Sequence, residues 1–160
     1  MSTEVAKVVN DRELAKAFSV VSPFLGSLQK TVMLSNCYGQ ESDYFINTFK
    51  SLGTLIEGMP ATYGNQNGLD SLVYLHYFIA GCDWYITEKD VVDGVTQAYG
   101  YSILNGDLEM AEFGYISIRE LNSMVHYTGE LGGDLRVPVY VELDLHFEPQ
   151  TLRSILAKKA

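Results

Sequence analysis

Apolar residues recur at helical spacing in the first third of the chain and at strand spacing through most of the rest, and that change of period divides the molecule. In DRELAKAFSVV, from Asp11, the residues Leu14, Ala17, Phe18 and Val21 share one helical face, and Pro23 ends the segment or begins a new turn. ESDYFINTFKSLGTLIEG predicts a second helix. Phe45, Phe49, Leu52 and Ile56 form its apolar stripe, Ser42 or Asp43 can cap it, and Gly58 and Pro60 supply the stop.

After the turn-rich YGNQNG, LVYLHYFI from Leu72 and DWYITEKD from Asp83 are rich in β-branched and aromatic residues, and the short AGC between them suits a hairpin. DVVDG breaks the chain at Asp90 to Gly94, TQAYGYSIL follows, Asn105-Gly106 marks another hairpin, and AEFGYISI returns. These segments predict a four-strand antiparallel meander from about Leu72 to Ile118. Val73, Tyr74, Leu75, Tyr77 and Phe78 fill both faces of its first strand, which predicts cover on both sides. Ser117 and Glu120 form a capping box for a helix from Ile118 to His126, with Leu121, Met124 and Val125 inward and His126 at its C-terminal end. TGELGGD reads as a surface loop and VPVYVELDLHF as a fifth strand with Pro138 near its start. Pro149 and Thr151 then introduce a closing helix, LRSILAKK, with Lys158 and Lys159 at the negative end of its dipole. The predicted architecture is α+β: an antiparallel sheet of about five strands, a meander plus a C-terminal strand, packed with N-terminal helices and a short C-terminal helix. Residues 1–53 form a helical extension on the same core and residues 54–160 the α+β domain.

The length of 160 residues suits one domain with such an extension. Twenty acidic against eleven basic residues leave a formal charge of −9, which disfavours non-specific nucleic-acid binding and suits a basic partner. A local strip at Arg153, Lys158 and Lys159 keeps a nucleic-acid-binding accessory role open as one alternative. Cys37 and Cys82 stand far apart in no CxxC pair, against a disulfide framework or zinc cluster and in favour of a reducing cytoplasm. The charged N-terminus does not read as a signal peptide. LVYLHYFIAGC is about half the ~20 residues a membrane span needs, so no membrane association is expected.

Alternation in VELDLHFEP places Glu142, Asp144, His146 and Glu148 in one register, and a single strand would turn all four to one face. Residues two apart on a strand are ~6.8 Å apart, so Glu142 and His146 begin ~13 Å apart. Ligands of one zinc ion lie only ~3 to 4 Å from one another, so the whole row cannot chelate one ion. Asp144 and His146 could lean together if another element, carrying His76 or Glu88, supplied a third ligand. A small metal-dependent hydrolase or nuclease, with Asp144 and His146 as ligands and Glu142 as general base, is therefore the second alternative. No GxSxG elbow or phosphate-cradling glycine pattern occurs, and neither cysteine sits in a recognisable catalytic context, a Cys/His pair such as Cys82 with His76 having no motif behind it. No cofactor is expected. Eleven tyrosines, Tyr85 among them, exceed what such a core needs, and tyrosine is favoured at protein interfaces.

WYITEKD at Trp84 to Asp90, FGYISIREL at Phe113 to Leu121 and DLHFEPQTL at Asp144 to Leu152 stand in that order. Together they resemble an uncharacterised family, domain of unknown function 2958, whose members show a WYxxE strand, a GYxSLxEL turn and a terminal DLxFxPxxL. The likeness covers about Leu55 to Ile155. It departs from the family pattern in residues 1–53 and in the longer HYTGELGGDLRVPVY connection. The resemblance implies a protein of plasmids, phages and integrative elements, often encoded near antirestriction genes, and carries over no activity.

The function expected is that of a non-enzymatic cytoplasmic interaction protein of a mobile element. Its partner would be a host-defence or element-transfer protein, held by an acidic, tyrosine-rich surface that includes Glu142, Asp144, His146, Glu148 and Tyr85. A homodimer through Phe45, Phe49 or the first strand is expected as well.

Overall fold

The structure is a computed structural model that describes residues 11–61, 67–128 and 136–159. Two compact units divide after Gly58.

In the first unit, α1 (Arg12–Val21), α2 (Ser27–Asn36) and α3 (Ser42–Glu57) follow one another, with a short 3-10 turn at Ser22–Phe24. Asp11 caps α1 by accepting from the Leu14 N–H at 3.0 Å, and Leu14, Ala17 and Val21 are buried as their spacing predicts. Pro23 opens the 3-10 turn. The apolar face of α3 is rotated from the expected stripe: Ile46, Phe49, Gly53 and Ile56 are buried, while Phe45 and Leu52 are only partly covered. Gly53 explains the rotation, because a Cβ there would stand 3.2 Å from the Cα and Cβ of Ala17, so α1 and α3 cross where both residues are small. Phe18 and Phe49 pack beside that crossing with ring centroids 5.8 Å apart. Glu41 precedes α3 without a side-chain cap, so neither Ser42 nor Asp43 plays that part. The helix α2 was not singled out by its pattern, since Met33 is its only buried residue.

The second unit is built on a five-stranded antiparallel sheet whose strands, in spatial order, are Glu112–Ile116, Gly94–Ile103, Cys82–Asp90, Leu75–Ile79 and Glu142–Leu143. The expected meander is β2 (Leu75–Ile79), β3 (Cys82–Asp90), β4 (Gly94–Ile103) and β5 (Glu112–Ile116), preceded by the short β1 (Leu72–Val73). Ala80 and Gly81, both at positive φ, make the two-residue turn between β2 and β3. Asn105 and Gly106 also take positive φ in a turn closed by the Asp107 N–H on the Leu104 carbonyl. That turn does not join adjacent ladder residues. Asp107 accepts from the Glu109 and Met110 N–H groups, and this second turn lengthens the connection to residues 104–111.

Three expectations need correction. The strand buried on both faces is β3, where Trp84 through Glu88 are all covered, whereas Phe78 on β2 is 38% exposed. The capping box at Ser117 works, its hydroxyl accepting from the Glu120 N–H, but the helix α4 (Ile118–Leu121) lasts one turn. Bonds from Ser123 to Glu120 and from Met124 to Leu121 close it, and the β-favouring Val-His-Tyr-Thr becomes β6 (Val125–Thr128). Met124 and Val125 are therefore exposed, and His126 lies on a strand. The loop TGELGGD falls almost wholly outside the described residues. Finally, VPVYVELDLHF is not one strand. It supplies β7 (Val137–Tyr140), paired with β6, and β8 (Glu142–Leu143), paired with β2, and then leaves the sheet. β9 (Gln150–Thr151) pairs with β1, and the closing helix α5 (Leu152–Lys159) packs Leu152 and Ile155 onto Val73, Tyr85 and Ile103. No helix among the described residues is long and apolar enough to cross a membrane.

Candidate functional site

The second strand of the sequence motif LVYLHYFI places His76 on the same sheet face as Tyr85 and Asp83, because β2 and β3 pair His76 with Tyr85 and Phe78 with Asp83. The Asp144 N–H donates to the His76 carbonyl at 2.8 Å as β8 ends, which brings the Asp144 carboxylate to the other side of the ring. His76 thus stands between two acids: Nε2 is 2.7 Å from Asp83 Oδ1 and Nδ1 is 3.1 Å from Asp144 Oδ2. Each ring nitrogen therefore faces a carboxylate oxygen at hydrogen-bond distance. The ring stacks on Tyr85 with centroids 4.6 Å apart and planes 10° from parallel, and Phe147 covers it from the side at 5.7 Å.

The cluster is closed on itself. Lys159 of α5 reaches the second oxygen of Asp83 at 3.3 Å, and the His146 backbone N–H donates to the second oxygen of Asp144 at 3.0 Å. The hydrogen bond from His76 is the chief cause that holds the Asp83 carboxyl below its usual range, and burial pushes the Tyr85 hydroxyl up, aided by the Asp83 charge. With every ring nitrogen and carboxylate oxygen engaged, the arrangement ties β2, β3, the segment after β8 and α5 together.

The predicted polar row is therefore dispersed. Asp144 is part-buried in this cluster and turns the chain, Glu142 is exposed on β8, and His146 and Glu148 are exposed beyond it. Tyr85 is 3% exposed and belongs to the same cluster. Asp144 and His76 meet, but through a hydrogen bond. Among the described residues no three His, Cys, Asp or Glu side chains are placed to hold one metal ion. Cys82 pairs with Ile79 and so lies on the sheet face opposite His76, which dissolves the thiol dyad. Of the basic strip, Arg153 bonds Asp70 at 3.0 Å, Lys158 bonds Gln150 at 3.1 Å and Lys159 bonds Asp83.

A second arrangement lies at the β5 end of the sheet. Tyr101 meets Phe113 edge-on at 5.0 Å, Phe113 stacks on Tyr99 at 5.9 Å, and Tyr99 meets Tyr115 edge-on at 5.5 Å. The row runs from the part-buried Tyr101 outward to Tyr115, which is 59% exposed on the sheet's terminal strand. The 104–111 connection, which joins β4 to β5 at the Tyr101–Phe113 end of the row, carries Leu104, Leu108 and Met110 exposed, the last at 77%, among the exposed acids Asp107, Glu109 and Glu112. Tyrosine count hinted at such a surface; only strand register shows which tyrosines share it. No family model, no curated protein and no solved structure matches this chain, which leaves these two arrangements as the guide to what it does.

Proposed function

We propose that this protein is a non-enzymatic interaction protein that binds a protein partner at the β5 end of its sheet, through Tyr115, Tyr99 and the exposed apolar residues of the 104–111 connection. The observation that carries this reading is the aromatic row ending in exposed Tyr115 on the terminal strand, together with exposed Leu104, Leu108 and Met110 on the connection that leads into that strand. Aromatic side chains and methionine are enriched in interface cores, and contiguous exposed apolar surface marks such sites. The acids Asp107, Glu109 and Glu112 form a polar rim of one sign that suits a basic partner surface. The three ordered motifs are the sole support for a host-defence or element-transfer protein as that partner.

Affinity capture with the wild type, Tyr115→Ala, Met110→Ala and the control His146→Ala tests the reading. Tyr115→Ala and Met110→Ala are expected to lower partner recovery at least about tenfold with little change in unfolding midpoint, as exposed hot-spot substitutions do. Recovery equal to wild type in both would remove this surface from the functional account. Light scattering at micromolar concentration separates a second copy of the chain from a different partner at the same edge.

A further inference from the structure

Glu88 is the one strongly buried acid on β3 that the fold does not explain. Its residue is 3% exposed, and its Oε1 is buried with no hydrogen-bond partner among the described residues. Asp90, two residues on and 6% exposed, makes the contrast: its oxygens accept from the Val92 and Gln97 N–H groups at 2.9 and 2.8 Å. A buried carboxylate oxygen without a partner forfeits its hydration, so its retention in a core strand asks for a compensating ligand.

The backbone is shaped around this side chain. The β3–β4 register shifts on both sides of Glu88, between Ile86 and Glu88 and again before Asp90. Bulges of this kind re-aim side chains and collect at binding sites. Glu88 lines a pocket of about 130 Å³ together with Ser71, Asn67, Thr87, Tyr74 and Leu72. At about 30 Å³ per water, that volume holds roughly four waters, or a charged head on a short alkyl stem.

We propose that this pocket binds a primary ammonium group on a short alkyl stem, with the Glu88 carboxylate as its counter-charge. The donor set selects this chemistry. Glu88 is the only acid in the lining among the described residues, and the lining also includes Ser71, Thr87 and Asn67; the Ser71 hydroxyl accepts from the Asn67 N–H and the Thr87 hydroxyl donates to the Tyr99 carbonyl, so each keeps acceptor capacity for one positive charge carrying three N–H donors. A divalent ion asks for six or more oxygens and more negative charge than one carboxylate brings. Tyr74 and Leu72 in the lining supply apolar wall for the stem. The burial that raises the Glu88 pKa also strengthens its attraction for a cation that reaches it. Glu88 is the cross-strand partner of Tyr99, so the pocket borders the aromatic row, and the two readings are told apart by their readouts, amide shifts with a small amine here and partner recovery there.

Backbone amide NMR of the full chain at pH 8, titrated with n-butylammonium chloride against tetramethylammonium chloride at matched ionic strength, tests it. Saturable shifts at the Ser71, Thr87 and Glu88 amides are expected with n-butylammonium alone, and their loss is expected in Glu88→Gln. A parallel titration with Nα-acetyl-lysine amide sorts the source: binding as tight as n-butylammonium assigns a protein lysine, and weaker binding assigns a small free amine. Ser71→Ala is expected to weaken binding several-fold and serves if Glu88→Gln does not fold. No saturable shift with either primary amine, equal shifts with tetramethylammonium, or shifts retained in a folded Glu88→Gln would overturn the proposal.

Discussion

Replacing His76 by alanine removes one ring that two carboxylates and a tyrosine depend on, and the cost can be worked from the geometry. A hydrogen bond to a charged group contributes about 1.5–3 kcal/mol. The His76 side chain is 14% exposed and those of Asp83 and Asp144 16% and 29%, so neither bond is a solvent-screened surface pair. Both acids keep a second partner, Lys159 for Asp83 and the His146 N–H for Asp144, and Asp144 regains water, so the two bonds do not add in full. One bond's worth plus about 0.5–1.5 kcal/mol for the Tyr85 stack gives an expected loss of about 3 kcal/mol. At 2–4 °C per kcal/mol for a chain of this size, the midpoint falls by about 6–12 °C. Urea unfolding followed by fluorescence reads this directly, because Trp84, the only tryptophan, is buried on β3 in the same unit. His76→Gln, whose amide donates from one end and accepts at the other, should recover part of the loss. A loss below about 1 kcal/mol for His76→Ala would refute the claim that this cluster holds the sheet together.

The same cluster predicts an acid limb. Asp83 has a lowered folded-state pKa, so the unfolded state binds more protons as the pH drops; the Asp83 contribution is complete above about pH 4 and is lost as the pH falls through the folded value. Acid titration of stability should show this limb in the wild type and a weaker one in His76→Ala, and identical limbs would count against His76 as the main cause of the shift. Gly100→Ala should cost about 3 kcal/mol, because its Cβ would lie 2.0 Å from the Tyr85 carbonyl oxygen, while Gly114→Ala on β5 meets nothing within 4 Å and should change stability by under about 1 kcal/mol. Denaturant midpoints for the two variants compare them; equal midpoints would show that β3 and β4 yield at this crossing.

Local pattern was enough for what is locally determined. Helical spacing placed Leu14, Ala17 and Val21 inward, and the capping box, the Ala80-Gly81 turn and the meander followed from neighbouring residues. Alternation in VELDLHF reported the parity of side chains but not where the strand ends, and the chain leaves the sheet at Asp144, whose carboxylate was needed elsewhere. A capping box starts a helix and says nothing of its length, so α4 was overextended. Glu88 was read only as a possible third metal ligand, and its burial beside the β3–β4 register shifts is not encoded in any local pattern.

The partners of His76 also differ in how far along the chain they lie. Asp83 is seven residues away across one tight turn, and Asp144 is 68 residues away. Loop closure grows costlier with length, and hairpins of nearby strands form before distant ones meet. The β2–β3 hairpin can therefore assemble its half of the cluster early, with Asp144 and α5 arriving as a late clamp over a sheet already in register. The imidazole then acts in time as well as in space: it holds a short-range pair while the meander forms, and presents its other nitrogen as the docking point at which the C-terminal segment completes the unit.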